Sequence, residues 1–137
     1  MSKMLCRCGH AISDTVCPCP TEARIIGDVA YDCFDDAFAQ RVDAFLTAVR
    51  SGKRCDWINK HFSTQYPQDD TDGAIISSIL SSTLLDYCLS VAECPQCGRL
   101  WLQRGIGVND YRPFSPDDNG FGGHLAATPK SVTQDDG

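Results

Sequence analysis

The sequence predicts an α+β fold in which short β-hairpins carry pairs of cysteines and a helical insertion lies between them. Two cysteine knuckles, Cys6-Arg-Cys8-Gly9 and Cys94-Pro-Gln-Cys97-Gly98, are far apart in the chain. Apolar residues between them recur at helical spacings, and the residues just before the second knuckle alternate with a period of two. These observations predict strands at the knuckles and two to three helices between them.

The N-terminal part is expected to consist of short strands and loops. Residues 4–10 are typical of a strand that runs into the first knuckle, and two prolines make residues 11–21 a rigid loop. Residues 23–26 have the apolar character of a second short strand. A Gly-Asp turn at 27–28 is then expected to lead into the first helix.

The first helix has the clearest pattern. Asp32 is predicted as its N-cap, with Asp35 and Asp36 in the first turn, where the helix macrodipole favours anions. The helix is predicted to end before Gly52. Spacings of three, four and seven gather one apolar face, formed by Phe34, Phe38, Val42, Phe45, Leu46 and Val49.

Two more helices and a hairpin follow. Residues 55–62 predict a brief second helix, and residues 87–92 predict a strand entering the second knuckle. Residues 99–103 predict the returning strand, so that the knuckle forms the tip of a hairpin, and residues 111–114 predict one more edge strand. The third helix is predicted from one broad apolar face, formed by Ile75, Ile76, Ile79, Leu80, Leu84 and Tyr87.

Length and composition indicate one small domain. The 137 residues suit a single zinc-stapled domain over residues 1–116, with a helical insertion at about residues 28–85 and a mobile acidic tail over residues 117–137. No apolar stretch precedes Cys6 that would suit a signal peptide, and no run is apolar enough to cross a bilayer. We therefore expect a cytoplasmic protein without a membrane partner.

The knuckles predict one structural zinc ion bound by Cys6, Cys8, Cys94 and Cys97. The two-residue spacer of the second pair lets both sulfurs face one ion, and a glycine follows each pair. The one-residue spacer of the first pair requires a tighter turn. A closed four-cysteine site leaves no coordination position for chemistry, so the predicted role of the metal is structural.

Cys17, Cys19 and His10 are alternative ligands. They could replace the first pair or bind a second ion, but the surrounding prolines restrict the turn and no glycine follows, which favours unpaired loop thiols. The other three thiols lie within predicted elements and are expected to be core or subsurface residues, namely Cys33, Cys55 and Cys88.

The sequence does not indicate an enzyme. It contains no phosphate-binding glycine loop, no nucleophile elbow and no His-Glu-x-x-His helix. A redox pair at the second knuckle is disfavoured because a strand, not a helix, is predicted to follow it. A zinc deaminase is disfavoured because no histidine is followed by glutamate two residues later.

Charge predicts a basic protein partner. The formal net charge is −6, and aspartates cluster around the first and third helices. The candidate partner-binding residues are Asp32, Asp35, Asp36, Asp69, Asp70 and Asp72, with helix capping as the alternative role. Nucleic acid is the competing partner, through Trp101 and the basic residues near the knuckles, but the overall charge opposes it.

The knuckles and their hairpin resemble a zinc ribbon over residues 4–10 and 89–103. More loosely, Cys-x-Cys-Gly-His-x-Ile-Ser-Asp at residues 6–14 and Cys-Pro-x-Cys-Gly-Arg-Leu-Trp at residues 94–101 resemble a group of small bacterial proteins. Some small acidic proteins of this kind serve as immunity proteins for secreted toxins. The resemblance implies a zinc-stabilised module that neutralises a basic toxin, such as a nuclease. The alternative function is a zinc-ribbon nucleic-acid-binding or transcription-accessory protein.

Overall fold

The computed structural model of the chain describes residues 3–118 and 123–127. This part of the chain contains three α-helices and two antiparallel sheets, so the predicted α+β class with a helical insertion is confirmed. It divides into two compact units. The sheet unit comprises the described residues of 1–25 and 89–137, and the helical unit comprises residues 26–88. Of the predicted tail, residues 119–122 and 128–137 lie outside the described residues.

The sheet unit contains a two-stranded hairpin and a four-stranded antiparallel sheet. In the hairpin, Met4 lies opposite Ile12. The first knuckle joins the two hairpin strands, and the second knuckle joins the two central strands of the sheet. In chain order the strands are β1 (Lys3–Leu5), β2 (Ala11–Ser13), β3 (Glu22–Ile25), β4 (Leu89–Glu93), β5 (Leu100–Gln103) and β6 (Tyr111–Phe114), and the sheet has the order β3-β4-β5-β6.

The core of the sheet unit lies between the hairpin and the sheet. Ala92 on β4 lies opposite Trp101 on β5, and residues paired in this way share a face of the sheet. The buried residues there are Cys6, Ile12, Ala92 and Cys94, and the partly buried Met4, Cys8, Cys97 and Trp101 pack against them. Half of this small core consists of the four cysteines predicted as metal ligands.

The helical unit contains α1 (Asp28–Arg50), α2 (Arg54–His61) and α3 (Asp72–Leu85). Thr71 caps α3, since its hydroxyl accepts a hydrogen bond from the Ala74 N–H at 3.1 Å. The core is apolar and nearly closed to solvent, and aromatic residues such as Phe38, Trp57 and Phe62 pack around it. Its central residues are Phe45, Ile58, Ile75 and Ile79.

The start of α1 differs from the prediction. The helix begins at Asp28, one turn earlier than expected, and its N-cap is Gly27, whose carbonyl accepts from the Tyr31 N–H at 2.8 Å. The Gly-Asp pair predicted as a turn is therefore the helix start, because glycine is also an accepted N-cap residue, only slightly less favourable than aspartate. Asp32 is not the N-cap, and Asp35 and Asp36 both lie beyond the first turn, where Asp28 is the acidic residue.

Two other local predictions are corrected. The loop predicted at residues 11–21 contains β2, a strand too short to show alternation in the sequence. In α3 the buried residues form a narrower stripe than predicted: Ile75, Ile79 and Thr83 are buried, whereas Leu80 is 41% exposed. The buried Thr83 hydroxyl donates to the Ile79 carbonyl at 2.6 Å, which makes a polar residue tolerable there.

No helix among the described residues is both long enough and apolar enough to cross a membrane.

Candidate metal centre

The first knuckle is a tight turn closed by two backbone hydrogen bonds. The Cys6 N–H donates to the His10 carbonyl at 2.9 Å, and the Gly9 N–H donates to the Cys6 carbonyl at 2.9 Å. Gly9 has a φ of +93°, a left-handed conformation that side chains disfavour. A glycine directly after the second cysteine therefore permits a knuckle with a one-residue spacer.

The second knuckle repeats this arrangement with one more residue. The Cys94 N–H donates to the Arg99 carbonyl at 2.8 Å, and the Gly98 N–H donates to the Cys94 carbonyl at 3.0 Å. Gly98 has a φ of +77°. The two knuckles thus use the same device, a left-handed glycine that turns the chain from one strand of a hairpin into the next.

Together the knuckles bring the four predicted sulfurs to one point. The Sγ atoms of Cys6 and Cys97 are 3.6 Å apart, and those of Cys8 and Cys94 are also 3.6 Å apart. All four sulfurs lie within 4.8 Å of one another, so the cluster could hold a metal ion. Cys6 and Cys94 are buried, whereas Cys8 and Cys97 are half-buried.

Burial and hydrogen bonding shift the pKa values of two thiols of the metal-free cluster in opposite directions. Burial alone would raise the pKa of Cys6, but hydrogen bonds from the Cys8 backbone, Trp101 and neighbouring thiols outweigh it and lower the pKa to about 6. Burial raises the pKa of Cys94 to about 12. Four thiolates at this separation repel one another, and a bound cation is what would allow all four to ionise.

Two neighbouring side chains favour negative charge on the cluster. The Arg99 guanidinium donates from Nη1 to Cys97 Sγ at 3.5 Å, and the Cys97 and Cys6 thiolates raise the pKa of Arg99. The buried indole N–H of Trp101 has no partner at normal hydrogen-bond distance. We interpret its effect on the Cys6 pKa as a longer N–H···S contact. A buried N–H donor beside the sulfurs is consistent with a cluster of negatively charged thiolates.

The alternative ligands do not join a metal cluster. Within residues 3–118 and 123–127, the four knuckle cysteines are the one group of three or more such ligands close enough to share an ion. Cys19 Sγ donates to the Ser13 carbonyl at 3.8 Å and contacts Thr21 Oγ1 at 3.3 Å, while Cys17 is exposed. His10 supplies its backbone carbonyl to the first knuckle. These contacts are consistent with Cys17 and Cys19 being loop thiols rather than metal ligands.

The remaining cysteines only partly match their prediction. Cys88 is buried, as expected, but Cys33 on α1 and Cys55 on α2 are exposed, so the prediction that they are core or subsurface residues is wrong. A helix face is set by position relative to the whole apolar stripe, and these two thiols fall outside it.

The predicted partner-binding aspartates fall into two different settings. Asp32, Asp35 and Asp36 are exposed on α1. At about 100° per residue, Asp28 and Asp43 share their face of the helix. We call these five residues the acidic face. The structure shows no ion pair for any of them among the described residues.

The second aspartate group is partly engaged within the helical unit. Arg54 donates from Nε to the Asp72 carboxylate at 2.9 Å and from its terminal nitrogens to the backbone carbonyls of Gln68 and Asp70. Asp69 is exposed. This role of Arg54 could not be predicted from the sequence, because a contact with backbone carbonyls of a loop leaves no signal in residue spacing.

Fold and site together define an α+β protein with a four-cysteine candidate metal centre. The chain belongs to a family described as a domain of unknown function, DUF8617, whose model matches residues 2–118. No curated protein matches the chain, and no solved structure matches it.

Proposed function

We propose that the four cysteines bind one structural zinc ion. Four thiolates bind zinc in a tetrahedral arrangement. With a Zn–S bond length of about 2.3 Å, the sulfurs of such a site lie about 3.8 Å apart. The Cys6–Cys97 and Cys8–Cys94 sulfur separations are each 3.6 Å, close to this value. With four protein ligands the site has no open position for a reacting water, which supports a structural role and a non-enzymatic protein.

Cobalt substitution tests this metal site. Co²⁺ in a four-thiolate site gives strong ligand-to-metal absorption, and added zinc should displace it at one equivalent. Cys94→Ser should weaken this absorption, whereas Cys33→Ser, which changes an exposed thiol outside the cluster, should leave it unchanged. Equal spectra for both variants would contradict the assignment of the ligands.

We propose further that the protein is a cytoplasmic protein-binding module that binds a basic partner through the acidic face of α1. The observation that carries this proposal is five exposed carboxylates on one helix face without ion pairs in the described part of the chain. Such a face attracts a cationic surface and increases the association rate. A toxin that holds nucleic acid, such as a nuclease, has a cleft of this sign, which supports an immunity or antitoxin-like role.

The nucleic-acid alternative has less support. Arg104 forms an ion pair with Asp110 at 3.1 Å, and Arg99 contacts Cys97 and Ser115, so two of the basic residues near the knuckles have partners within the protein. Trp101 packs into the core of the sheet unit rather than standing free to stack on a base. A cavity of about 840 Å³ beside it is also lined by carboxylates, namely Asp14, Glu22 and Asp110.

A pull-down from the native lysate tests the protein-binding role. At about 0.15 M salt, exposed charges are screened beyond about 8 Å, so a retained partner must make close contacts. We expect one stoichiometric basic protein to bind the unmodified chain, and Asp35→Lys with Asp36→Lys to lose it. Asp117→Lys with Asp118→Lys makes the same change of charge in exposed residues of the sheet unit and should retain the partner.

Two outcomes would contradict this role. Equal retention by both double variants would show that the acidic face is not the binding surface. Capture of nuclease-sensitive nucleic acid without a stoichiometric protein would favour the zinc-ribbon nucleic-acid-binding function instead.

A further inference from the structure

The four thiols of the cluster differ in their access to solvent. Cys6 is 2% exposed and Cys94 is 0% exposed, so neither can be reached without unfolding of the knuckles. Cys8 and Cys97 are half-buried. Exchange of the metal, or attack by a reagent, must therefore begin at one of these two sulfurs.

Among the described residues, one of these two sulfurs accepts a hydrogen bond from a cationic side chain. Arg99 Nη1 lies 3.5 Å from Cys97 Sγ, and Arg99 Nε donates to Ser115 Oγ at 3.2 Å, so the guanidinium is held at two points. Cys8 Sγ contacts Cys94 Sγ at 3.6 Å, and no cationic side chain in the described part of the chain donates a hydrogen bond to it.

This difference has a chemical consequence. Each metal ligand is already a thiolate, and a hydrogen bond from a guanidinium stabilises the charge on that thiolate. A thiolate whose charge is stabilised in this way is a weaker nucleophile. It also offsets part of the charge of −2 that four thiolates and one zinc ion would carry together. Cys97 is therefore the protected half-buried ligand and Cys8 the unprotected one.

We infer that Cys8 is the reactive thiolate of the cluster, the ligand through which metal leaves and at which soft electrophiles attack, and that Arg99 directs reaction there by holding Cys97. This inference rests on the proposed zinc site. Arg99 acts as a positioning residue, because it does not bind the metal itself.

Alkylation of the zinc-loaded protein tests the order of reaction. The thiolate sulfur attacks the carbon of iodoacetamide, a C–S bond forms, and iodide leaves with the electrons of the C–I bond, so that the zinc loses one ligand. Peptide mass spectrometry should show Cys8 as the first cluster cysteine modified, in step with zinc release to a chromogenic chelator. The exposed Cys17, Cys33 and Cys55 should react earlier and serve as internal references.

Variants separate the role of Arg99 from general stability. In Arg99→Ala, Cys97 should react as fast as Cys8, and zinc release should accelerate by about tenfold or more, as for other residues that support metal ligands. Arg99→Lys should restore part of the protection. Arg104→Ala removes a nearby exposed arginine that contacts Asp110 and no sulfur, so the order of modification should not change.

The outcomes distinguish this inference from the zinc proposal. Metal analysis of the untreated protein comes first, and a metal-free, folded protein would overturn both. If one zinc is present but Cys97 reacts before Cys8 in the unmodified chain, the inference fails and the zinc site stands. Unchanged selectivity in Arg99→Ala would likewise overturn the role of Arg99. The order in the unmodified chain decides the matter even if a variant fails to fold.

Discussion

The sheet unit and the helical unit differ in what fills their interiors. Strands of three to five residues build the sheet unit, and two of its four central buried residues are cysteines, Cys6 and Cys94. The helical unit buries Phe45, Ile58, Ile75 and Ile79, each at most 2% exposed, beneath a layer of aromatic residues. A small unit with so little apolar core depends on a cross-link, whereas one with a larger apolar core does not.

Removal of zinc is expected to have the largest effect and to affect the two units unequally. A chelator with a thiol reductant should expose the amides of β4 and β5 to hydrogen exchange while α1 and α3 stay protected. Structural zinc supplies about 10–16 kcal/mol in zinc-finger peptides, as much as the entire stability of a small domain. Exchange measured peptide by peptide should show this difference. An equal loss of protection in both units would contradict the comparison.

The converse change should weaken the helical unit and spare the metal site. Ile79→Ala leaves a cavity in a closed apolar core and should cost about 2–5 kcal/mol of unfolding free energy. Chemical denaturation followed by helix circular dichroism measures this loss, and bound zinc should stay at one per chain. Ser77→Ala, an exposed change on the same helix, is the control. Loss of zinc together with helix would show that the two cores are not independent.

Arg54→Ala should have a smaller effect, again confined to the helical unit. Arg54 is partly buried and joins α2 to the first residue of α3, Asp72, and to the preceding loop through two backbone carbonyls. Its loss leaves acceptors without a donor and should cost about 1–3 kcal/mol. Denaturant unfolding should detect this, and Arg104→Ala, whose ion pair with Asp110 is exposed, should be near neutral. Similar losses for both arginines would contradict the role given to Arg54.

Acid should weaken the sheet unit through its cysteines. In the folded, metal-free cluster the pKa of Cys6 is lowered to about 6, so its thiolate stabilises the folded state at higher pH. This contribution to stability is lost as pH falls through about 6. The raised pKa of Cys94, about 12, has the opposite sign, with a contribution lost only as pH rises toward 12. At neutral pH zinc must therefore displace the proton of Cys94, and below about pH 6 that of Cys6 as well.

Competition titrations with a chelator measure this dependence. Zinc affinity should fall as pH falls, and the slope should steepen below about pH 6, because ligand protons compete with the metal. Affinity that stays constant or rises on acidification would be inconsistent with thiolate ligands.

The metal cluster could be predicted from the sequence because its signal is local. A pair of cysteines with a glycine after the second identifies a knuckle, and the two knuckles contain the four sulfurs that the structure brings together. The helices could be predicted for a similar reason, since periodicity reports the buried face directly. The zinc ion itself and the function stay predictions.

What could not be predicted depends on contacts between distant residues. The start of α1 depended on whether Gly27 or Asp32 caps the helix, and both are acceptable caps locally. The strand β2 has three residues and becomes visible only when it pairs with β1. The role of Arg54 could not be predicted for the same reason, because the two backbone carbonyls that it contacts lie 14 and 16 residues away in a loop.

That the four cysteines hold one structural zinc ion is tested most directly by native mass spectrometry of protein purified without a chelator. The expected result is a mass increase of one zinc per chain, retained in Cys33→Ser and lost in Cys94→Ser. A folded, metal-free wild-type chain, or zinc retained at full occupancy in Cys94→Ser, would contradict the assignment of this site.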